Sequence, residues 1–77
     1  MKGRQFRDWR KQIGISGSVV SGITGIRRSR LSDIEREYVQ PSGDEAAKLG
    51  QALQDLDRAK QELAATAERY GWPVAAL

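Results

Sequence analysis

Apolar positions recur along the chain at the spacing of helices. Phe6 and Trp9 stand three residues apart and Ile13 four beyond Trp9, one apolar face of a helix over residues 4–12 that Gly14 ends. Ser16 suits the cap of a second helix, Gly17 to Ile23, with Val19, Val20 and Ile23 as its buried side. Propensity opposes that helix, because Gly17, Gly22 and the two valines are poor formers and each glycine costs about 1 kcal/mol relative to alanine. Thr24-Gly25 marks a turn. A third periodic run, residues 27–36, spaces Leu31 and Ile34 three apart and surrounds them with arginines, serines and Asp33. Residues 37–43 read as a connecting loop.

Ser42 and Glu45 have the spacing of a capping box, so the next helix should begin at Gly43 or Asp44, with acids at its positive end. From there to Tyr70 only Gly50 interrupts the pattern, and Gly71 and Pro73 stop it. Leu49, Leu56, Leu63 and Tyr70 recur every seven residues, with Ala52, Ala59 and Thr66 three further on in each case. Such a seam of large and small residues suits close helix–helix packing, with a turn near Gln54 to Asp57 as the place where the run would split in two. Trp72, just past Gly71, either packs back near Ala67 or sits between two copies of the chain.

Composition narrows the chemistry. The 77 residues make one small domain, and a chain of this size buries only about 60% of the surface it exposes when unfolded. With no cysteine and no histidine, disulfides, zinc fingers, thiol nucleophiles and the usual general base are all missing, so neither catalysis nor a metal or cofactor is expected. No apolar run approaches the length of a membrane span, and the polar start Met1-Lys2-Gly3-Arg4 does not resemble a signal segment. A cytoplasmic protein is expected. Charge is asymmetric: residues 1–40 hold nine basic and four acidic side chains, residues 41–77 four basic and six acidic. That balance suits a front half that meets a polyanion and a back half with another task.

The segments Trp9-Arg10-Lys11-Gln12-Ile13-Gly14-Ile15-Ser16, Val20-Ser21, Gly25-Ile26, Arg28 to Arg36 and Pro41-Ser42 together resemble the Cro/phage-repressor type of helix-turn-helix, the Xre family. The resemblance covers about residues 4–53, two-thirds of the chain. It implies an all-α, five-helix repressor-like domain; the heptad seam, which runs beyond what such a domain requires, adds an extended C-terminal helix over about 54–72 that is expected to join two copies. In it, the small residue of the second helix falls on Ser21, the turn glycine on Gly25, and the apolar positions on Val20, Ile26, Leu31 and Ile34. Arg10 and Glu35 correspond to an ion pair tying the first helix to the end of the third. Two residues depart from the family pattern: Glu37 stands where a glycine is common, and Gly17 where a phosphate-contacting glutamine is usual.

The resemblance further implies that helix three, about residues 27–35, lies in the major groove of double-stranded DNA. Arg27, Arg28, Ser29, Ser32 and Asp33 then take base-reading positions, Arg28 foremost, since an arginine fork matches the O6 and N7 acceptors of guanine. Gly17, Ser18, Arg30, Arg36, Tyr38 and Gln40 take the DNA backbone, the first two through N–H groups at a helix start. Members of this family generally act as homodimers on operators with two half-sites. Here the expected interface is Leu56, Ala59, Leu63, Ala67, Tyr70 and Trp72, with Arg58, Lys60, Glu62 and Arg69 at its rim. A short repressor of the kind carried on phages and plasmids is the expected function. An antitoxin that represses its own operon while its last helix neutralises a toxin is the alternative, and a non-DNA adaptor built on the same helices is a third.

Overall fold

A computed structural model describes residues 2–71, which form four helices and, among those residues, no strand. They are α1 (Gly3–Ile13), α2 (Gly17–Thr24), α3 (Arg28–Glu35) and α4 (Gly43–Arg69). The all-helical expectation holds, and the count is four rather than five because α4 is unbroken across Gln54 to Asp57. That stretch lacks a helix breaker, and α1 braces it. The Trp9 indole N–H donates to Asp57 Oδ2 at 3.4 Å, and the Lys60 ammonium donates to the Ile13 carbonyl at the end of α1. Lys60, expected at the rim of an interface, thus lies against its own chain and complements the negative end of the α1 dipole.

Local signals set the ends of each helix. The Ser16 hydroxyl accepts from the Val19 N–H, and Gly25 ends α2 in the left-handed conformation at φ 75°. Ser42 and Glu45 form the capping box at the start of α4, each side chain accepting from the other's N–H. α1 reaches one residue further than expected at each end, to Gly3 and Ile13. α3 is correspondingly shorter, with Arg27 and Arg36 as its flanking caps.

Phe6, Ile13, Val20, Ile26, Leu31, Ile34, Leu49 and Leu53 form the buried cluster, so every helix contributes to one core. Trp9, Ile15, Val39 and Ala46 pack around it. The weak helix α2 is therefore held by tertiary burial of Val20, while within and just beyond it the Thr24 hydroxyl donates to the Val20 carbonyl and the Ser21 hydroxyl to the Ile26 carbonyl. Val19 and Ile23, read from the sequence as buried, are instead 43% and 55% exposed. α2 is short and touches the body along the line of Val20 and Gly17, which leaves its i−1 and i+3 neighbours outside.

Gly3 makes the tightest approach. A Cβ there would lie 1.8 Å from the Ile34 carbonyl oxygen, so only glycine lets the start of α1 pass the end of α3.

Candidate nucleic-acid interface

α3 is fixed by what it buries. Leu31 and Ile34 are wholly enclosed, so the opposite side of the same two turns must face outward. Ser29 is exposed there, with Ser32 and Asp33 half-buried further along, while Arg28, one turn before Leu31, is exposed at the edge toward α2 and Arg27 stands just before the helix. The five residues expected to read bases thus lie along α3 and its cap.

The end of α3 is tied to α1 through Arg10 and Glu35. Arg10 Nε donates to Glu35 Oε2 at 2.8 Å and Nη2 to Oε1 at 2.9 Å, a two-pronged pair, while Nη1 donates to the Ile15 carbonyl at 3.0 Å. Both side chains are largely buried, and hydrogen bonding to Glu35 raises the Arg10 pKa further above its ordinary value. The pair satisfies its own charges and leaves neither for a ligand. This is the ion pair that the resemblance implied.

A second clasp was not foreseen. Arg30 Nη2 donates to Glu45 Oε1 at 2.9 Å and Nε to Oε2 at 3.1 Å, and Nη2 also approaches the Gln40 carbonyl at 3.4 Å. Arg30, expected on the DNA backbone, is therefore turned toward the start of α4. Glu45 is held to a pKa of about 2 by the Arg30 guanidinium first and by the Ser42 N–H second. The capping-box spacing identified Glu45 but carried no sign of its partner fifteen residues upstream.

After α3 the backbone turns at Glu37, whose φ of 62° is the one positive value outside glycine among the described residues. Here the departure from the family's glycine is real: a side chain occupies a conformation that favours glycine. The Tyr38 N–H donates to the Asp33 carbonyl at 2.9 Å, closing the turn and leaving the Tyr38 ring 72% exposed beside exposed Arg36 and Gln40. At the other end, the start of α2 comes against the start of α3. Gly17 is buried beneath the Arg28 guanidinium, and Ser18 beside it is exposed.

The residues expected to join two copies lie mostly on the second half of α4. Leu56 is half-buried, while Ala59, Leu63 and Tyr70 are exposed. Leu56, Ala59 and Leu63 line a shallow groove with Ile13 and Ile15 from the end of α1. Ala67 is buried within the chain itself, and Trp72 lies outside the described residues.

Among the described residues no cluster of His, Cys, Asp and Glu could hold a metal ion, and no helix is long and apolar enough to cross a membrane. A family model described as helix-turn-helix matches residues 6–61. No curated protein and no solved structure matches the chain.

Proposed function

The chain belongs to the helix-turn-helix family of the Cro/C1 type, a family of DNA-binding regulators rather than enzymes; from that premise we propose a sequence-specific transcriptional repressor acting in the cytoplasm as a homodimer on a palindromic operator. The observation that carries the reading is the two-sidedness of α3, whose Leu31 and Ile34 are locked in the core while Ser29 is exposed on the outside and Arg28, its head resting on the start of α2, is exposed at the edge. A helix so held can be laid in the major groove without reorganising. Arg28 takes a guanine through its paired N–H donors, with Arg27, Ser29, Ser32 and Asp33 at neighbouring base edges. Arg36, Tyr38 and Gln40, beyond the far end of α3, take phosphates and fix register, as do the N–H groups of Gly17 and Ser18 at the start of α2. Arg30 is already paired with Glu45, and a phosphate gains it only by displacing that carboxylate.

Each recognition helix reads only a few base pairs, so two copies are needed for a useful site. The groove of Ile13, Ile15, Leu56, Ala59 and Leu63 supports association through α4. Two α3 helices would then sit about 34 Å apart, one turn of B-DNA. An operator overlapping a promoter blocks polymerase when filled.

The test is selection from random duplex DNA at near-physiological salt. The expected product is a palindrome with a G in each half-site. Arg28→Ala should then weaken binding to the selected site by about 1–3 kcal/mol and scarcely touch random DNA, whereas Arg36→Ala should weaken all duplexes and lower the salt slope. Recovery of no motif, or equal effects from both substitutions, would sink the assignment.

A further inference from the structure

Three arginines of the first two-thirds of the chain are seated in two different ways. Arg10 and Arg30 have their heads clasped by carboxylates. Arg28 forms no ion pair among the described residues, and its head lies instead against a glycine. A Cβ on Gly17 would stand 2.7 Å from Cζ and Nη1 of Arg28 and 2.9 Å from Nη2, closer than real carbon contacts allow.

Nothing in the backbone of α2 asks for glycine at this point. Gly17 is an ordinary helical residue following the Ser16 cap, with none of the positive φ seen at Gly14, Gly25 and Gly71. Alanine would be the better helix former. Electrostatics does not draw Arg28 there either, because the start of α2 is the positive end of its dipole and repels a cation. What remains is room. The missing side chain leaves a flat stretch of backbone on which a planar guanidinium can rest.

We propose that Gly17 is a specificity-determining position that acts through Arg28. By carrying no side chain it lets the first residue of α3 lie back across the start of α2, and this pose selects the base pair that the Arg28 fork can reach. A residue with a Cβ at position 17 forces the head away, an easy move for the end of a long flexible side chain, so the fold survives while the reading changes. The inference rests on α3 being the base-reading helix, and it makes Gly17 a positioning residue through its missing side chain, a role separate from the phosphate contact proposed for its N–H, which alanine would retain.

The test is a double-substitution cycle with Gly17→Ala, Arg28→Ala and both together. Each protein is titrated against the duplex selected by the wild type and against duplexes altered at one base pair at a time. Gly17→Ala should keep or raise the melting temperature and should lower the preference at one base pair of each half-site by about tenfold, leaving the others as they were. In the Arg28→Ala background, adding Gly17→Ala should change no preference. An unchanged preference, a uniform loss at every position, or the same loss with and without Arg28 overturns the inference. So does a Gly17→Ala protein that fails to fold, since packing would then demand the glycine. If the wild type itself selects no motif, the base-reading premise falls and takes the inference with it, which is a separate result from a motif that Gly17→Ala leaves intact.

Discussion

α4 carries a single seven-residue seam through two different surroundings. Leu49, in its first half, is 1% exposed, and Ala52 and Leu53 beside it are buried by α1 and α2. Two heptads on, Leu63 is 52% exposed, and Tyr70 one heptad later is 76% exposed. The sequence pattern does not change between them, and what changes is the supply of neighbours. α1 ends at Ile13, its last carbonyl capped by Lys60, and no other helix among the described residues lies beside the turns that follow. Periodicity reports which residues share a face, and it does not report whether that face is covered by the same chain or by another.

Substitution in the first half tests that contrast most strongly. Leu53→Ala removes a wholly enclosed side chain from the cluster shared by all four helices and should cost about 2–5 kcal/mol, read from urea unfolding at fixed protein concentration. A cost as small as that of a surface change would mean that the first half of α4 is not part of the core.

Acid should act next, and again on the first half. The Glu45 carboxyl titrates at about 2 in the folded chain against an ordinary value of 4.5, held down by Arg30 and then by Ser42. Because the folded value is the lower one, this contribution is complete above pH 4.5 and is lost as pH falls toward about 2. Glu45→Gln should therefore lower the melting temperature at neutral pH and flatten its fall below pH 4.5. The clasp is partly open to solvent, so the effect should stay well below that of Leu53→Ala. A variant with the same acid limb as the wild type would show that Glu45 does not hold α3 to α4.

How much of this could be read from the chain follows from the range of each signal. Ser16, Ser42 with Glu45, and Gly25 act within three or four residues, and the structure finds each where the sequence puts it. Arg10 with Glu35 is a contact across 25 residues, legible only through the resemblance that aligned both. The clasp of Arg30 by Glu45, the approach of Gly3 to the Ile34 carbonyl and the seating of Arg28 over Gly17 are tertiary contacts with no local trace. Val19 and Ile23 were misread for a related reason: on an eight-residue helix the apolar side is wider than the strip the body covers. The reach of the candidate interface was legible as arginines and serines on one short helix, and its geometry was not.

The smallest expected effect on the folded chain comes from the second half. Leu63 sits mostly in solvent, so Leu63→Glu should change the stability of a single chain by no more than about 0.5 kcal/mol. If two copies associate along Leu56, Ala59 and Leu63, the same substitution places a charge in their contact and should separate them. Gel filtration would show one chain in place of two, and the melting temperature, which rises with concentration for an associating protein, would become independent of it. The two halves of α4 would then answer to different variables, the first to acid and core substitution, the second to protein concentration. A Leu63→Glu protein that stays folded and dimeric would remove this face from the interface and leave the exposed seam without a partner.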